Sequence, residues 1–269
     1  MTQSPIQDLR DDSLLRAGFV GPLDGSLEYI RQTAGWILPL YILATGPLIL
    51  VAVAEISAIM ERDVTASQFY LLLALPALVW RWGICSLIQS RVLADLSGTK
   101  PPAIRKRIAF ILVIRTALAP LAIWGIFFFV IPSLLAIAAG TLVTPLLLDA
   151  SDTGWNQVKK LMRYSVVSTR AMRLAALLMV IFLFASSMVY GVLAIMGTFV
   201  LPSLLGIADP RIGVILNSGT LNLGLDFFTL LALDLLWCVS GVILFLELDA
   251  RRTGADLRSR LQAMLEGPR

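Results

Sequence analysis

Arg81 and Asp234 lie in the middle of apolar runs, and each is followed four residues later by a cysteine, Cys85 and Cys238. In a helix that spacing puts charge and thiol on one face, one turn apart. Counted inward from Phe69 and from Gly224, the two charges come to depths of about 18 and 15 Å at 1.5 Å per residue, so they are nearly level. A lone charge at the centre of a bilayer costs roughly 2.5 to 3.5 kcal/mol even on insertion scales. Two arrangements answer that cost. Either Arg81 pairs with Asp234, with the cysteines in the next layer, or Arg81 snorkels between Trp80 and Trp82 while Asp234 is protonated or faces water. A pair of this kind supports proton or solute translocation, or it is purely structural.

Other chemistry is thinly provided for. The chain has no histidine, which removes the commonest general base and metal ligand together with every Ser-His or Cys-His arrangement. Two cysteines, both within apolar runs, make neither a disulfide framework nor a metal site. No HExxH, GxSxG, P-loop or glycine-rich dinucleotide turn is present, and the LNSGT at 216–220 reads as a polar loop. These observations predict a protein that is not an enzyme, with no catalytic residue, no cofactor, no metal and no nucleic-acid partner.

The elements that must position the charges are membrane helices. Of 269 residues 58% are hydrophobic and 15% charged, against about 45–50% and 25% in soluble domains. The fold class is therefore all-α, a polytopic helix bundle. Residues 1–35 hold eight charges and no apolar run, so they read as a cytoplasmic tail and short helix, and the first span is expected to act as its own insertion signal. Ser26 is the expected cap of that short helix. Spans are predicted at 36–60, 69–88, 108–130, 132–149, 174–199 and 224–248, followed by a cytoplasmic tail at 249–269. The stretch Ile108–Leu148 decides the count. Its 41 residues, with Arg115 as the one charge, are too many for a single crossing of about 20 and fit two short helices turning at Val130–Ser133, where Pro132 opens the second.

With the N-terminus inside, eighteen of the 22 Lys and Arg residues fall on the cytoplasmic side and two, Arg62 and Arg211, outside. A single crossing at 108–148 would destroy that asymmetry, so six spans in a bacterial inner membrane with both termini cytoplasmic is the reading that results. The phrase FVIPSLLAIA at 129–138 returns as FVLPSLLGIA at 199–208. Duplication and shared helix-start chemistry both account for the match. After the second copy, Asp209-Pro210 stops the helix, and a short interfacial helix is expected before the sixth span.

Three inner stretches are basic and amphipathic. In 155–173, Trp155, Val158, Met162 and Val166 form an apolar stripe that Lys159, Lys160, Arg163 and Arg170 leave. In the C-terminal tail, Leu257, Leu261, Met264 and Leu265 lie on one side and Arg251, Arg258 and Arg260 elsewhere, and PPAIRKR precedes the third span. Docking on anionic headgroups and ordinary positive-inside anchoring both explain the pattern.

The segment TPLLLDASDTGWNQVKKLMRYSVVSTRAMRLAALLM resembles the cytoplasmic segment of bacterial multi-pass proteins akin to the membrane domain joined to glycerophosphodiester phosphodiesterases. The ending FLELDARRTGADLRSRL, with Arg251, Arg252, Gly254, Asp256 and Leu257, is similar to the close of the same group. The corner LPSLLGIADP, with Asn217 and Asp234 after it, is similar to uncharacterised members often encoded near transglutaminase-like membrane proteins. The resemblance covers about 130–265 and implies six membrane helices and no established activity. The phosphodiesterase domain, with its histidines and acids, is absent from the sequence. Together these readings predict a scaffold or assembly partner of other membrane proteins. The alternative is a transporter or channel-like permease, for which Gly46-Pro47 and Ala119-Pro120 would break two outward-running helices near mid-membrane.

Overall fold

A computed structural model describes residues 21–98, 104, 107–128, 130–148, 155–164, 169–200, 203 and 219–253. Among these residues the chain is all helical. The helices are α1 (Gly21–Glu61), α2 (Val64–Ser97), α3 (Ile108–Phe128), α4 (Val130–Leu148), α5 (Trp155–Met162), α6 (Thr169–Ile195) and α7 (Gly219–Thr253). A π-helical turn, Met196–Val200, closes α6. Four of the helical segments, Pro22–Ile59, Val64–Ser97, Thr169–Val200 and Gly224–Arg251, are long and apolar enough to cross a membrane. Ile108–Ala119 and Leu134–Leu148 are shorter apolar stretches.

Helix ends follow local chemistry. Arg62, in the left-handed region at φ 59°, ends α1. Asp63 then caps α2, its Oδ1 accepting from the backbone N–H groups of Thr65 and Ala66 at 3.0 Å each. Gly98, at φ 67°, terminates α2 where only a residue without a Cβ is unstrained. The short helix expected before the first span is not separate: α1 is continuous through Ser26, Pro39 and Pro47. Ser26 lies inside it and turns its hydroxyl back to the Pro22 carbonyl.

The central hairpin is formed. α3 and α4 are separated by one residue and run antiparallel, since Arg107 at the start of α3 reaches the Leu147 carbonyl and Arg115, further along, reaches Thr144. α4 begins at Val130, so Pro132 stands within its first turn, where its missing N–H costs no helical bond.

Residues group into two compact units. One comprises Met1–Ile42, Trp82–Ala176 and Leu236–Arg269, the other Leu43–Arg81 and Leu177–Leu235. The first has a core of fully buried side chains including Tyr29, Ile88, Val92, Leu142, Leu146 and Leu244. There α4 and α7 approach at backbone distance: a Cβ on Gly241 would lie 2.4 Å from the Thr141 carbonyl oxygen. The second is built on Leu48, Ala77 and Leu231, with Ile49, Val51, Leu78 and Phe227 packed around them.

The amphipathic segment is described over residues 155–164. α5 stops at Met162, which is 60% exposed, while Gln157, Lys160, Leu161 and Tyr164 are buried. Gln157 and Lys160 are thus turned toward the protein, while Met162 of the expected apolar stripe stays open. The cause lies at the end of α4, whose last carbonyls have no partners within their own helix. The Leu147 carbonyl accepts from Arg107 Nη1 at 2.5 Å and from Gln157 Nε2 at 3.4 Å, so a polar face of α5 is drawn inward. The second FVLPSLL copy beyond Val200, the interfacial helix expected after Asp209, and the C-terminal amphipathic stretch lie outside the described residues, apart from Ser203.

Candidate functional site

Arg81 and Asp234 come together. Nη2 of Arg81 is 2.5 Å from Oδ2 of Asp234, and the two side chains are 9% and 24% exposed. The pair sits one turn from the apolar layer of Leu48, Ala77 and Leu231, because Ala77 is four residues before Arg81 and Leu231 three before Asp234. An ion pair with so little water is held by Coulomb attraction in a low dielectric, and loss of either partner takes the opposite charge from the other. The same unit carries two further polar contacts nearer the helix ends. Ser67 donates to Glu55 at 2.6 Å, and Ser186 donates to Asp226.

The thiols belong to the other unit. Cys85 and Cys238 are buried, are not joined by a disulfide, and have sulfur atoms within 4.8 Å of each other. Two thiols are half of the four ligands that a structural zinc ion takes.

Sequence reasoning passed over a polar network in that unit. Arg115 Nη2 donates to Gln89 Oε1 at 2.7 Å and to Thr144 Oγ1 at 3.0 Å. Gln89 Nε2 in turn donates to the Cys238 carbonyl at 3.0 Å, and Ser86, 3.4 Å from Thr144, donates to the Trp82 carbonyl at 2.7 Å. Gln89, Thr144 and Ser86 are all at least 99% buried. Each neutral group donates its hydrogen bond away from the arginine, and the chain ends at a backbone carbonyl, which turns oxygen lone pairs toward the guanidinium. The signal was available, since Arg115 is the one charge between Ile108 and Leu148 and needs company as Arg81 does. A search for opposite charge does not find neutral partners.

The basic residues singled out for the lipid surface separate into kinds. Lys159 and Arg163 are exposed. Lys160 is 9% exposed, with its ammonium 5.9 Å from the centre of the Tyr164 ring, a cation–π distance. Arg170 pairs with Glu247, and Arg251 reaches the same carboxylate at 3.2 Å, so one acid of α7 holds the start of α6. Arg258 and Arg260 lie outside the described residues.

Comparison of this chain with family models, with curated proteins and with solved structures finds no match. The resemblance drawn from the 144–179 segment and the C-terminal ending rests on those residues alone.

Proposed function

We propose that this protein is a multi-pass component of a bacterial inner membrane, with six spans and cytoplasmic termini, acting without catalysis as a scaffold or assembly partner of another membrane protein. The observation that carries this reading is the contrast between α6 and α7. In the most apolar 18 residues of Thr169–Val200 only 6% are buried, against 56% in Gly224–Arg251. Val180, Phe184, Met188, Val192, Ile195 and Phe199, spaced three or four residues apart, leave one continuous apolar stripe on that helix, each at least half exposed. Such a stripe has no use in water and suits lipid tails or a neighbouring membrane helix. Small residues beside it, Ser187 and Gly191, would let another helix approach closely. Lys159 and Arg163, both exposed, would rest on anionic headgroups at the cytoplasmic face.

Six spans require α3 and α4 to cross as a pair of 21 and 19 residues, lengths that fit a bilayer core of about 30 Å. Reporters fused after Thr99, Thr153 and Arg269 should be cytoplasmic, and reporters after Arg62, Ser133 and Ser218 external. An external Thr153 would remove the six-span topology. For the scaffold role, a photo-crosslinking side chain at Phe184 or Val192 should capture a discrete membrane protein in cells, while the same group at the buried Leu178 should not. Capture of lipid alone at both stripe positions would overturn it.

A permease is the second reading, favoured by the buried Arg81–Asp234 pair, since ionisable groups at membrane depth commonly mark ion or proton paths. Solute flux into liposomes containing the purified protein, abolished in Asp234→Asn, would establish it over the scaffold.

A further inference from the structure

We propose that Cys85 and Cys238 form a two-coordinate site for a soft monovalent cation, copper(I) by its chemistry. The site goes beyond the scaffold reading and does not depend on it. So far apart in sequence, the two cysteines show no metal-ligand spacing, and the fold alone brings them together. Their sulfur atoms lie within 4.8 Å of each other, one on α2 and one on α7. Two thiolates on opposite sides of one ion, with metal–sulfur bonds of about 2.3 Å, stand at most about 4.6 Å apart, which is the scale of this pair. The placement is held from outside the thiols. Gln89, one turn beyond Cys85, donates to the Cys238 carbonyl at 3.0 Å, and Ser240, two residues after Cys238, meets Ser26 at 3.0 Å.

The surroundings select the ion. Cys85 and Cys238 are 1% and 5% exposed, and their neighbours along the two helices, Ile84, Ile88, Val239 and Val242, are buried too. Such a place strips a cation of its water, which magnesium resists, and thiolate ligands favour a soft ion. Zinc would need four ligands. The chain has no histidine, and within this unit no third Cys, Asp or Glu among the described residues joins the two sulfurs. Asp234, one turn before Cys238 in sequence, is paired with Arg81. The polar side chains of the same stretch are engaged as well: Ser86 and Ser240 donate to carbonyls of their own helices, and Gln89 is committed at both ends of its amide. Copper(I) is satisfied by two thiolates.

Charge is an independent observation. Each thiol gives up its proton as its bond to the metal forms, so two neutral thiols and one monovalent ion become a bridge of net charge −1 and release two protons, with no change of oxidation state. The same unit holds the opposite charge. Arg115 is linked to Cys238 through Gln89, whose Oε1 accepts from Nη2 of the arginine and whose Nε2 donates to the Cys238 carbonyl. No acid among the described residues pairs with Arg115, whose contacts to Gln89 and Thr144 are both neutral. A filled dithiolate site supplies the negative charge that this guanidinium lacks, in a medium where charge is weakly screened.

The test uses the full chain, purified in a mild neutral detergent and kept reduced and free of oxygen. Copper(I), supplied as its acetonitrile complex in competition with a colorimetric chelator, should bind one ion per chain. X-ray absorption at the copper edge should show two sulfur neighbours and no nitrogen or oxygen. Cys85→Ala and Cys238→Ala should each weaken binding by at least about a hundredfold, more than loss of an outer hydrogen-bond partner costs a metal site. Arg115→Gln should weaken copper(I) by about tenfold and leave mercury(II), whose dithiolate is neutral, unchanged. Equal weakening of both ions would overturn the assignment to a monovalent cation. Copper held by nitrogen or oxygen, wild-type affinity in either alanine variant, or zinc bound more tightly than copper through Asp234 would overturn the site. Should an alanine variant fail to fold, the absorption spectrum of the wild-type protein decides alone.

Discussion

Two arginines stand in apolar helices, and their surroundings answer the same problem in different ways. Arg81 is met by a carboxylate at 2.5 Å, beside a packed apolar layer of Leu48, Ala77 and Leu231. Arg115 is met by an amide and a hydroxyl, each backed by a second acceptor. The first environment cancels charge and the second only solvates it. A cancelled pair fails when one member goes, whereas a solvated charge is expendable and its solvating groups are not. The glycines repeat the contrast: Gly241, in the unit that holds Arg115, faces backbone, while Gly224, in the unit that holds Arg81, faces the end of the Ile56 side chain.

The largest effect should come from Asp234→Leu, which takes the carboxylate from Arg81 and should cost about 3–5 kcal/mol. Adding Arg81→Leu should recover part of that loss, and thermal unfolding of the four variants in membranes closes the cycle. Strict additivity would mean that the two side chains do not interact. Next in size, Gly241→Ala should cost about 1–3 kcal/mol, since the new methyl would stand 2.4 Å from the Thr141 carbonyl and a helix backbone must move.

Gln89→Leu should follow at about 1–3 kcal/mol, because it withdraws an acceptor from a cation that remains. Arg115→Leu should then be milder than Gln89→Leu, within about 1 kcal/mol of wild type, because removing a charge from an apolar helix offsets the lost hydrogen bonds. The reverse order, with Arg115→Leu as damaging as Asp234→Leu, would show that an opposite charge holds Arg115 and would end the contrast. Smallest of all, Gly224→Ala should shift unfolding by less than about 1 kcal/mol. Its methyl meets only Ile56 Cδ1 at 3.1 Å, the far end of a flexible side chain.

What could be read from the sequence follows from what carries a distinct signal. Apolar runs of the right length gave the helices, and the excess length of Ile108–Leu148 gave the α3–α4 corner. The level of Arg81 and Asp234 was legible because both are charged and helical rise is fixed. Arg115 was visible, but its partners were not. Gln89 falls one residue beyond the predicted second span, and Thr144 looks like any small residue of a membrane helix. The inward side of α5 was not legible for a related reason. Periodicity showed the apolar side of 155–166, whereas the open carbonyls of α4, a demand set by another helix, drew Gln157 and Lys160 inward. Glu247 was hidden in the same way, as one acid among the residues at the end of a span.

The length of α1 has a mechanical consequence. Its 41 unbroken residues make a rod of about 60 Å. Even at a tilt of 40°, the upper end of what membrane helices adopt, such a rod exceeds a 30 Å hydrocarbon core by about 15 Å. The excess at the Gly21 end is stiffened, because Tyr29 donates to Asp95 at 2.9 Å and the Arg91 guanidinium lies 4.3 Å from the centre of the Trp36 ring. On the membrane reading proposed above, the Gly21 end of α1 would stand clear of the hydrocarbon, and a load applied there would pass into α2 through these two contacts.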